Sequence, residues 1–229
     1  RYWGTTPVSG LLALLDEQEA RGGPNLILRL YRGRALAMLG RFDEARAILA
    51  EARAELADRG GGMPLATAKT HASVEVELLA GDPAAAAEFG EEGCRLLDEL
   101  GEQSVLSTAA GMLAQALYAL DRLEEADGWA GRAAELGASD DAYTQMLWRQ
   151  VRAKVLARRG EYAEAERLAR EAVAVGEETD MLDAQGGTYA DLGEVLSLAG
   201  RPQEAAKALE QALTRYERKG NVVMAGRTR

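Results

Sequence analysis

The residue types that most often perform catalysis or bind metals are scarce in this sequence. His71 is the single histidine and Cys94 the single cysteine, so neither a grouped zinc site nor an intramolecular disulfide can form. A serine triad would have to use His71, and no G-x-S-x-G surrounds any serine. We therefore predict no catalytic residue, no metal site and no cofactor, and we expect that the chain is not an enzyme.

Two short motifs resemble ligand loops but lack the residues that such loops require. The glycine stretch RGGGMPLATAKT at 59–70 has no Gly-Lys pair and follows no strand, which favours a linker over a phosphate-binding loop. The acidic stretch ASDDA at 138–142 lacks the ligand order of an EF-hand and is typical of a helix N-cap. Any function must therefore reside in the surface that the fold presents.

Composition and charge narrow the fold class and the partners. Apolar residues make up 47% of the 229, many of them alanine, and charged residues make up 28%, a mixture rich in helix formers without β-branched alternation. The net charge of −10 disfavours nucleic acid as a direct partner. No segment reaches the roughly 18 apolar residues of a membrane span. With one cysteine and no signal-peptide pattern, the sequence predicts an all-α, cytoplasmic protein without membrane contact.

An internal repeat of about 40 residues organises the chain. A marker residue recurs every 39 to 41 positions, at Gly40, Gly81, Asp121, Gly160 and Gly200. Alanine follows each marker by five residues, a small residue follows seven later, and leucine usually precedes the marker by four. The marker can take the left-handed conformation that ends a helix, and the small residues share one face of the next helix. The unit is therefore a helical hairpin with close helix contacts.

The repeat predicts how the domain is divided. We expect one superhelical domain over 1–229, which begins and ends within a longer array. An orphan helix is predicted at 8–21, and the start of a further helix at 221–229. The predicted hairpins lie at about 25–58, 63–100, 102–137, 140–178 and 181–219.

The repeat at 192–213, LGEVLSLAGRPQEAAKALEQAL, resembles the tetratricopeptide repeat. The matching positions, in order, are Leu192, Gly193, Leu196, Gly200, Ala205, Leu209 and Ala212. A standard repeat of this family has about 34 residues, so each helix here is longer by nearly one turn. The resemblance implies a right-handed α-solenoid with a concave groove lined by the first helix of each hairpin.

A narrower resemblance concerns the segments YWGTTPVSGLL near the start, 152–180 and 216–227. These are similar to the C-terminal repeat region of actinobacterial-type signalling regulators, in which a nucleotide cyclase domain and an AAA ATPase precede the repeats. No catalytic residue of those domains falls within this chain. The resemblance implies a regulatory role within a larger signalling protein.

Polar residues at helical spacing on the first helices are the candidate groove residues. They are Arg34, His71, Glu75, Gln115, Tyr118, Gln150, Lys154, Arg158 and Glu194. One interpretation is a groove that binds a peptide, a partner protein or a neighbouring domain of the same chain. The other is a merely solvated helix face, and the sequence leaves both open.

The setting of the repeats has three interpretations. The array is the interaction or sensor module of a signalling regulator, a free-standing scaffold, or the repeat region of an ATPase-type transcription regulator. We also expect self-association, because hairpins cut off at the two ends would expose apolar surface.

Overall fold

The structure is a computed structural model that describes residues 4–23 and 25–229. Within these ranges every regular element is helical, and no strand is present. The predicted all-α solenoid of hairpins is thereby confirmed. Residues 1–3 and 24, which the predicted domain and the motif YWGTTPVSGLL include in part, lie outside the described residues.

The helices follow one another in pairs. Helix α1 spans Val8–Gly22, and a short final helix, α13, spans Val222–Thr228. The first helices of the five hairpins are α2 (Leu26–Met38), α4 with α5 (Gly62–Thr67 and Val74–Ala80), α7 (Gln103–Ala119), α9 (Ala142–Arg158) and α11 (Leu182–Leu198). Their second helices are α3 (Phe42–Asp58), α6 (Pro83–Leu100), α8 (Leu123–Leu136), α10 (Tyr162–Glu177) and α12 (Pro202–Lys219).

The marker residues end the first helices in the same way in every hairpin. All five have positive φ, between 61° and 83°, and Asp121 is the one described non-glycine residue with this conformation. The residue after each marker donates its N–H to the carbonyl of the residue that lies four positions before the marker. Arg41 donates to Leu36 in this way, and Arg201 donates to Leu196. This is the 6→1 hydrogen bond of a Schellman motif. The leucine column is therefore the position where the terminating hydrogen bond closes.

Small residues allow the helices to pack closely. The alanines five residues after each marker, Ala45 to Ala205, are at most 2% exposed. First helices contact the first helices of neighbouring hairpins, as α7 contacts α9 and α9 contacts α11, while second helices form the outer layer. The polar positions of the first helices are thus turned toward the concave side, where the candidate site lies.

The second hairpin departs from regular α-helical geometry. A π-helical segment, Ala68–Ser73, joins α4 to α5. A Cβ at Gly93 of α6 would lie 2.4 Å from Thr70 Cγ2 and 3.1 Å from the Ala66 carbonyl oxygen. Four repeats carry alanine in this column, and the closer backbone explains why this one carries glycine. No described helix is both long and apolar enough to cross a membrane.

The two ends of the described chain pack against each other. Val8 is fully buried and its backbone lies beside Gly220, at the end of α12. Val223 and Met224 of α13 join the apolar cluster that contains Leu11 and residues of α2. Each end thus covers part of the apolar surface of the other, while Ile27 and Val222 remain exposed. The expected self-association stays a prediction.

Candidate functional site

A central cavity of about 430 Å³ lies on the concave side of the solenoid. It is lined by the first helices of all five hairpins together with α1, α12 and α13. Seven of the nine candidate groove residues line it: Arg34, Glu75, Gln115, Tyr118, Gln150, Lys154 and Glu194. The apolar part of the wall includes Met38, Leu79, Met112, Leu147 and Met224.

Arg34 and Glu75 form an ion pair between the first two hairpins. Arg34 lies on α2 and Glu75 on α5, and the guanidinium donates a hydrogen bond to the carboxylate. The two side chains are 8% and 15% exposed, so the pair is largely shielded from solvent. Ion pairs with this little solvent lose more when one partner is removed than surface pairs do.

Lys154 is the centre of a second charged cluster. Its ammonium lies 3.0 Å from Asp191 Oδ1, and Gln150 Nε2 donates to Asp191 Oδ2 at 2.9 Å. The ammonium also sits 4.6 Å from the centre of the Tyr118 ring, within cation–π range. Burial disfavours the charged form, but the carboxylates of Asp191 and Glu194 outweigh it and raise the pKa of Lys154. The cluster therefore stays charged.

Two carboxylates in the central cavity have only neutral hydrogen-bond donors. Asp183 Oδ1 accepts from Asn221 Nδ2 at 2.8 Å, and Glu194 accepts from the Tyr118 hydroxyl. Neither forms a salt bridge within the described ranges. Burial, and then the nearby charge of Glu75, raise the pKa of Asp183 to about 6.

Tyr216 lines the central cavity, and its hydroxyl forms no hydrogen bond with a described residue. The side chain is 1% exposed. Glycine is required beside it, because a Cβ at Gly186 would lie 2.6 Å from Tyr216 Cε1. Burial and the charges of Asp183 and Asp191 raise the pKa of the hydroxyl, so it remains a donor.

Basic residues close the seam between the first and last helices. Lys219 Nζ donates to the carbonyl oxygens of Gly4 and Thr6 at 2.9 and 3.0 Å. Arg227 of α13 donates to the carbonyl oxygens of Leu78 and Leu79, at the end of α5. A cation at a helix C-terminus is favourable because the last carbonyls and the helix dipole are negative. These contacts hold α12 and α13 against the first hairpins.

Two candidate groove residues do not line the central cavity. Arg158, at the end of α9, is exposed and pairs with Asp121 at 2.7 Å. His71 lies on the π-helical segment, where its Nδ1 is 2.9 Å from Thr70 Oγ1. Burial, and then the positive charge of Arg34, lower the pKa of His71 to about 4, so it is neutral at neutral pH.

Sequence reasoning missed several residues of the central cavity. Asp183 and Asp191 lie eleven and three residues before Glu194 on α11, and that helical spacing is a signal that could have revealed them. Tyr216 and Lys219 had no such signal. They lie on α12, a second helix, and reach the cavity only because the glycines of α11 leave room and the ends of the solenoid meet.

No described group of His, Cys, Asp or Glu side chains is arranged to hold a metal ion. Cys94 is buried in the largest apolar cluster, and burial raises the pKa of its thiol to about 12. The thiol is therefore unreactive at neutral pH. The central cavity combines ion pairs, carboxylates that accept from neutral donors, and hydroxyl groups with apolar walls.

Comparison with known families identifies the repeat. One tetratricopeptide-repeat family model matches residues 143–218, and a second matches 27–51 and 107–132. A search of curated proteins finds no match. The chain carries tetratricopeptide repeats, as the motif at 192–213 predicted.

Solved structures support the same fold. BtubC from P. vanneervenii is similar with a TM-score of 0.60 at 19% identity, over 92% of this chain and 86% of that one. A putative kinesin light chain from P. anserina with nearly identical TPR-like repeats has a TM-score of 0.58 at 17% identity, over 83% and 93%. The quorum sensor NprR from B. thuringiensis, in its apo form, has a TM-score of 0.60 at 12% identity, over 91% and 60%.

The class of the protein follows from the repeat. Tetratricopeptide repeats are non-catalytic scaffolds for protein interaction, and this chain is a protein-interaction module of that class rather than an enzyme. At identities below 20%, the solved structures bear on the fold alone.

Proposed function

We propose that this module binds a short peptide in its central cavity and acts as the sensor or docking part of a larger protein. The observation that carries the proposal is the cavity itself, about 430 Å³ in volume and lined by seven of the nine polar residues picked from the sequence. Ligand sites are typically concave, largely apolar and equipped with a few convergent polar groups. A merely solvated face would lack the enclosing wall that α12 and α13 supply.

The size of the central cavity favours a short segment over a whole protein domain. Pockets of roughly 300–1,000 Å³ enclose ligands of drug size. The contacts of Lys219 and Arg227 join the two ends of the solenoid and so narrow the access to the concave side. A partner protein therefore contributes a short exposed segment.

The test is to fill the central cavity without disturbing the fold. Gly187 lines the cavity, and a Cβ there would meet only Gln150 Nε2 at 3.4 Å and Tyr216 Oη at 3.8 Å. Gly187→Leu places three further carbons in the cavity and improves helix propensity. Wild-type protein on a column should retain members of a randomised, end-capped pentapeptide pool, and Gly187→Leu should reduce retention by about tenfold.

The matched control is Gly128→Leu. Gly128 lies within α8, and a Cβ there has no neighbour within 4 Å. This variant should retain peptides as the wild type does. Equal retention by Gly187→Leu and wild type, with both folded by circular dichroism, would place binding outside the cavity and contradict the proposal.

The wider setting is also proposed. The similarity of 152–180 and 216–227 to the repeat region of cyclase–ATPase regulators supports a signalling parent chain in the cytoplasm, with its own domains as partners. Determining the complete reading frame tests this. A P-loop and cyclase carboxylates upstream support it, whereas a helix-turn-helix downstream favours a transcription regulator, and repeats alone favour a scaffold. Self-association remains a prediction, and sedimentation at high concentration tests it.

A further inference from the structure

We propose that the ligand of the central cavity is an extended basic peptide segment, lying along α11 with cationic groups on Asp183 and Glu194 and a backbone carbonyl on the Tyr216 hydroxyl. This inference rests on the proposed function and names the chemistry of its ligand. Two observations support it. The cations of the central cavity have more partners than the carboxylates of Asp183 and Glu194, and the Tyr216 hydroxyl has no described acceptor.

The cations of the central cavity are already engaged. Lys154 pairs with Asp191, and Arg34 pairs with Glu75. Lys219 and Arg227 donate to backbone carbonyls at the seam. An anionic ligand would have to displace one of these partners, and it would also approach a chain of net charge −10.

The anions Asp183 and Glu194 are less completely engaged. Each accepts a hydrogen bond through one oxygen from a neutral donor, which leaves the second carboxylate oxygen without a described partner. A carboxylate in a cavity of low polarity is stabilised most by a hydrogen-bonded cation. An ammonium or guanidinium group is therefore the complementary ligand group at both positions.

The donors in the central cavity fit a peptide backbone. The Tyr216 hydroxyl, almost fully buried, has no acceptor among the described residues, and neither has the Gln115 amide. A ligand carbonyl is the complementary acceptor for both donors. Between the two carboxylates, α11 presents the small residues Ala184, Gly187 and Ala190 to the cavity. A backbone can approach a helix closely over such residues.

The length of the segment follows from the helix. Asp183 and Glu194 are eleven residues apart on α11, which corresponds to about 16 Å at the rise of an α-helix. An extended chain advances about 3.3 Å per residue, so about five residues span the two carboxylates.

The test is affinity selection of a randomised, acetyl- and amide-capped pentapeptide pool on the 229-residue chain, read by mass spectrometry. Wild type should enrich peptides with Lys or Arg about tenfold over those with Glu, and the double variant Asp183→Asn, Glu194→Gln should lose most of that preference. Tyr216→Phe should weaken retention of all peptides about fivefold while keeping the charge preference. Glu88→Gln, which removes an exposed carboxylate of α6, is the matched control and should behave as wild type.

The pH dependence gives a second readout. Protonation of Asp183 below about pH 6 should weaken binding of the selected basic peptide, and Asp183→Asn should flatten that change. Several groups face Asp183 from the surrounding elements: Glu75, Arg34, Lys219, Asn221, Tyr143 and Tyr216.

The outcomes separate this inference from the proposed function. Retention that Gly187→Leu abolishes, but that shows no preference for basic residues, overturns the ligand class and leaves the cavity as the binding site. A preference that survives the double substitution also overturns the inference. If wild type retains no peptide, both the inference and the proposed function fail.

Discussion

Charged residues in the central cavity and charged residues on the outer surface form two different kinds of ion pair. On the outside, the arginine after the marker pairs with the glutamate three residues later: Arg41–Glu44, Arg122–Glu125 and Arg201–Glu204, each at 2.6 Å. In the cavity, Arg34–Glu75 and Lys154–Asp191 join the first helices of consecutive hairpins. These three outer pairs lie within one helical turn, but other exposed pairs, such as Arg122–Glu91 and Arg159–Glu124, also join hairpins. What sets the inner pairs apart is that they are shielded from solvent.

This difference separates two roles of charge in one repeat. Exposed pairs within one helical turn contribute little to stability and are screened by salt. Pairs shielded from solvent between hairpins are costly to break, because one charge is left without a partner. The shielded pairs of the central cavity should therefore contribute more to stability than the exposed pairs.

The largest expected effect comes from breaking a pair in the central cavity. Lys154→Met should leave Asp191 with the Gln150 amide alone and lower the free energy of unfolding by about 3 kcal/mol. Urea unfolding at neutral pH measures this loss. Arg158→Met, one turn later on the same helix but exposed, is the control and should change stability far less. Equal losses in the two variants would mean that water solvates the inner pair as it does the outer one.

The second largest expected effect is a pH-dependent change in the free energy of unfolding, caused by Asp183. Its pKa is raised to about 6 in the folded protein, against about 3.9 when unfolded. The folded state therefore binds the proton more tightly, and the stability that Asp183 contributes falls as pH rises from about 4 through 6. Asp183→Asn should remove this loss. The free energy of unfolding of the variant should therefore exceed that of wild type by about 3 kcal/mol near pH 7.5.

Urea unfolding of both proteins between pH 4.5 and 7.5 checks this prediction. Asp140→Asn removes an exposed carboxylate in the loop before α9 and should leave the pH profile of wild type unchanged. A constant difference between Asp183→Asn and wild type over this range would mean that Asp183 titrates as an ordinary surface carboxylate.

The smallest effect is expected on the outside. Arg122→Gln removes pairs with Glu125 and Glu91, all three side chains being well exposed. The melting temperature should fall by about 1 °C at low salt, and the difference should disappear near 1 M salt, where charges are screened. Thermal denaturation at both salt concentrations measures it. A difference that persists in high salt would show that these arginines pack rather than pair.

Much of the fold could be predicted from the periodicity of the sequence, because helix ends depend on interactions between nearby residues. The markers were predicted to end helices, and all five have positive φ with the same terminating hydrogen bond. The exception within the pattern, Gly93 in a column of alanines, had no explanation in sequence. It follows from the close approach to α6 of Thr70, in the π-helical segment, and of the Ala66 carbonyl oxygen, in α4.

The candidate site was only partly predictable. The first-helix positions were found because their spacing from each marker is regular, and seven of them line the central cavity. Tyr216, Lys219 and Arg227 were missed, since they enter the cavity from α12 and α13 where the two ends of the superhelix meet.

By itself the sequence determined the repeat, the helix ends and the faces of the first helices, because these depend on interactions within about 40 residues. Only the tertiary structure decided that the two ends of the solenoid meet and that its concave side becomes a half-open cavity. That closure depends on a small rotation between hairpins, added over five repeats, and on contacts such as Lys219 with the Gly4 carbonyl, 215 residues apart. No local pattern specifies such a sum.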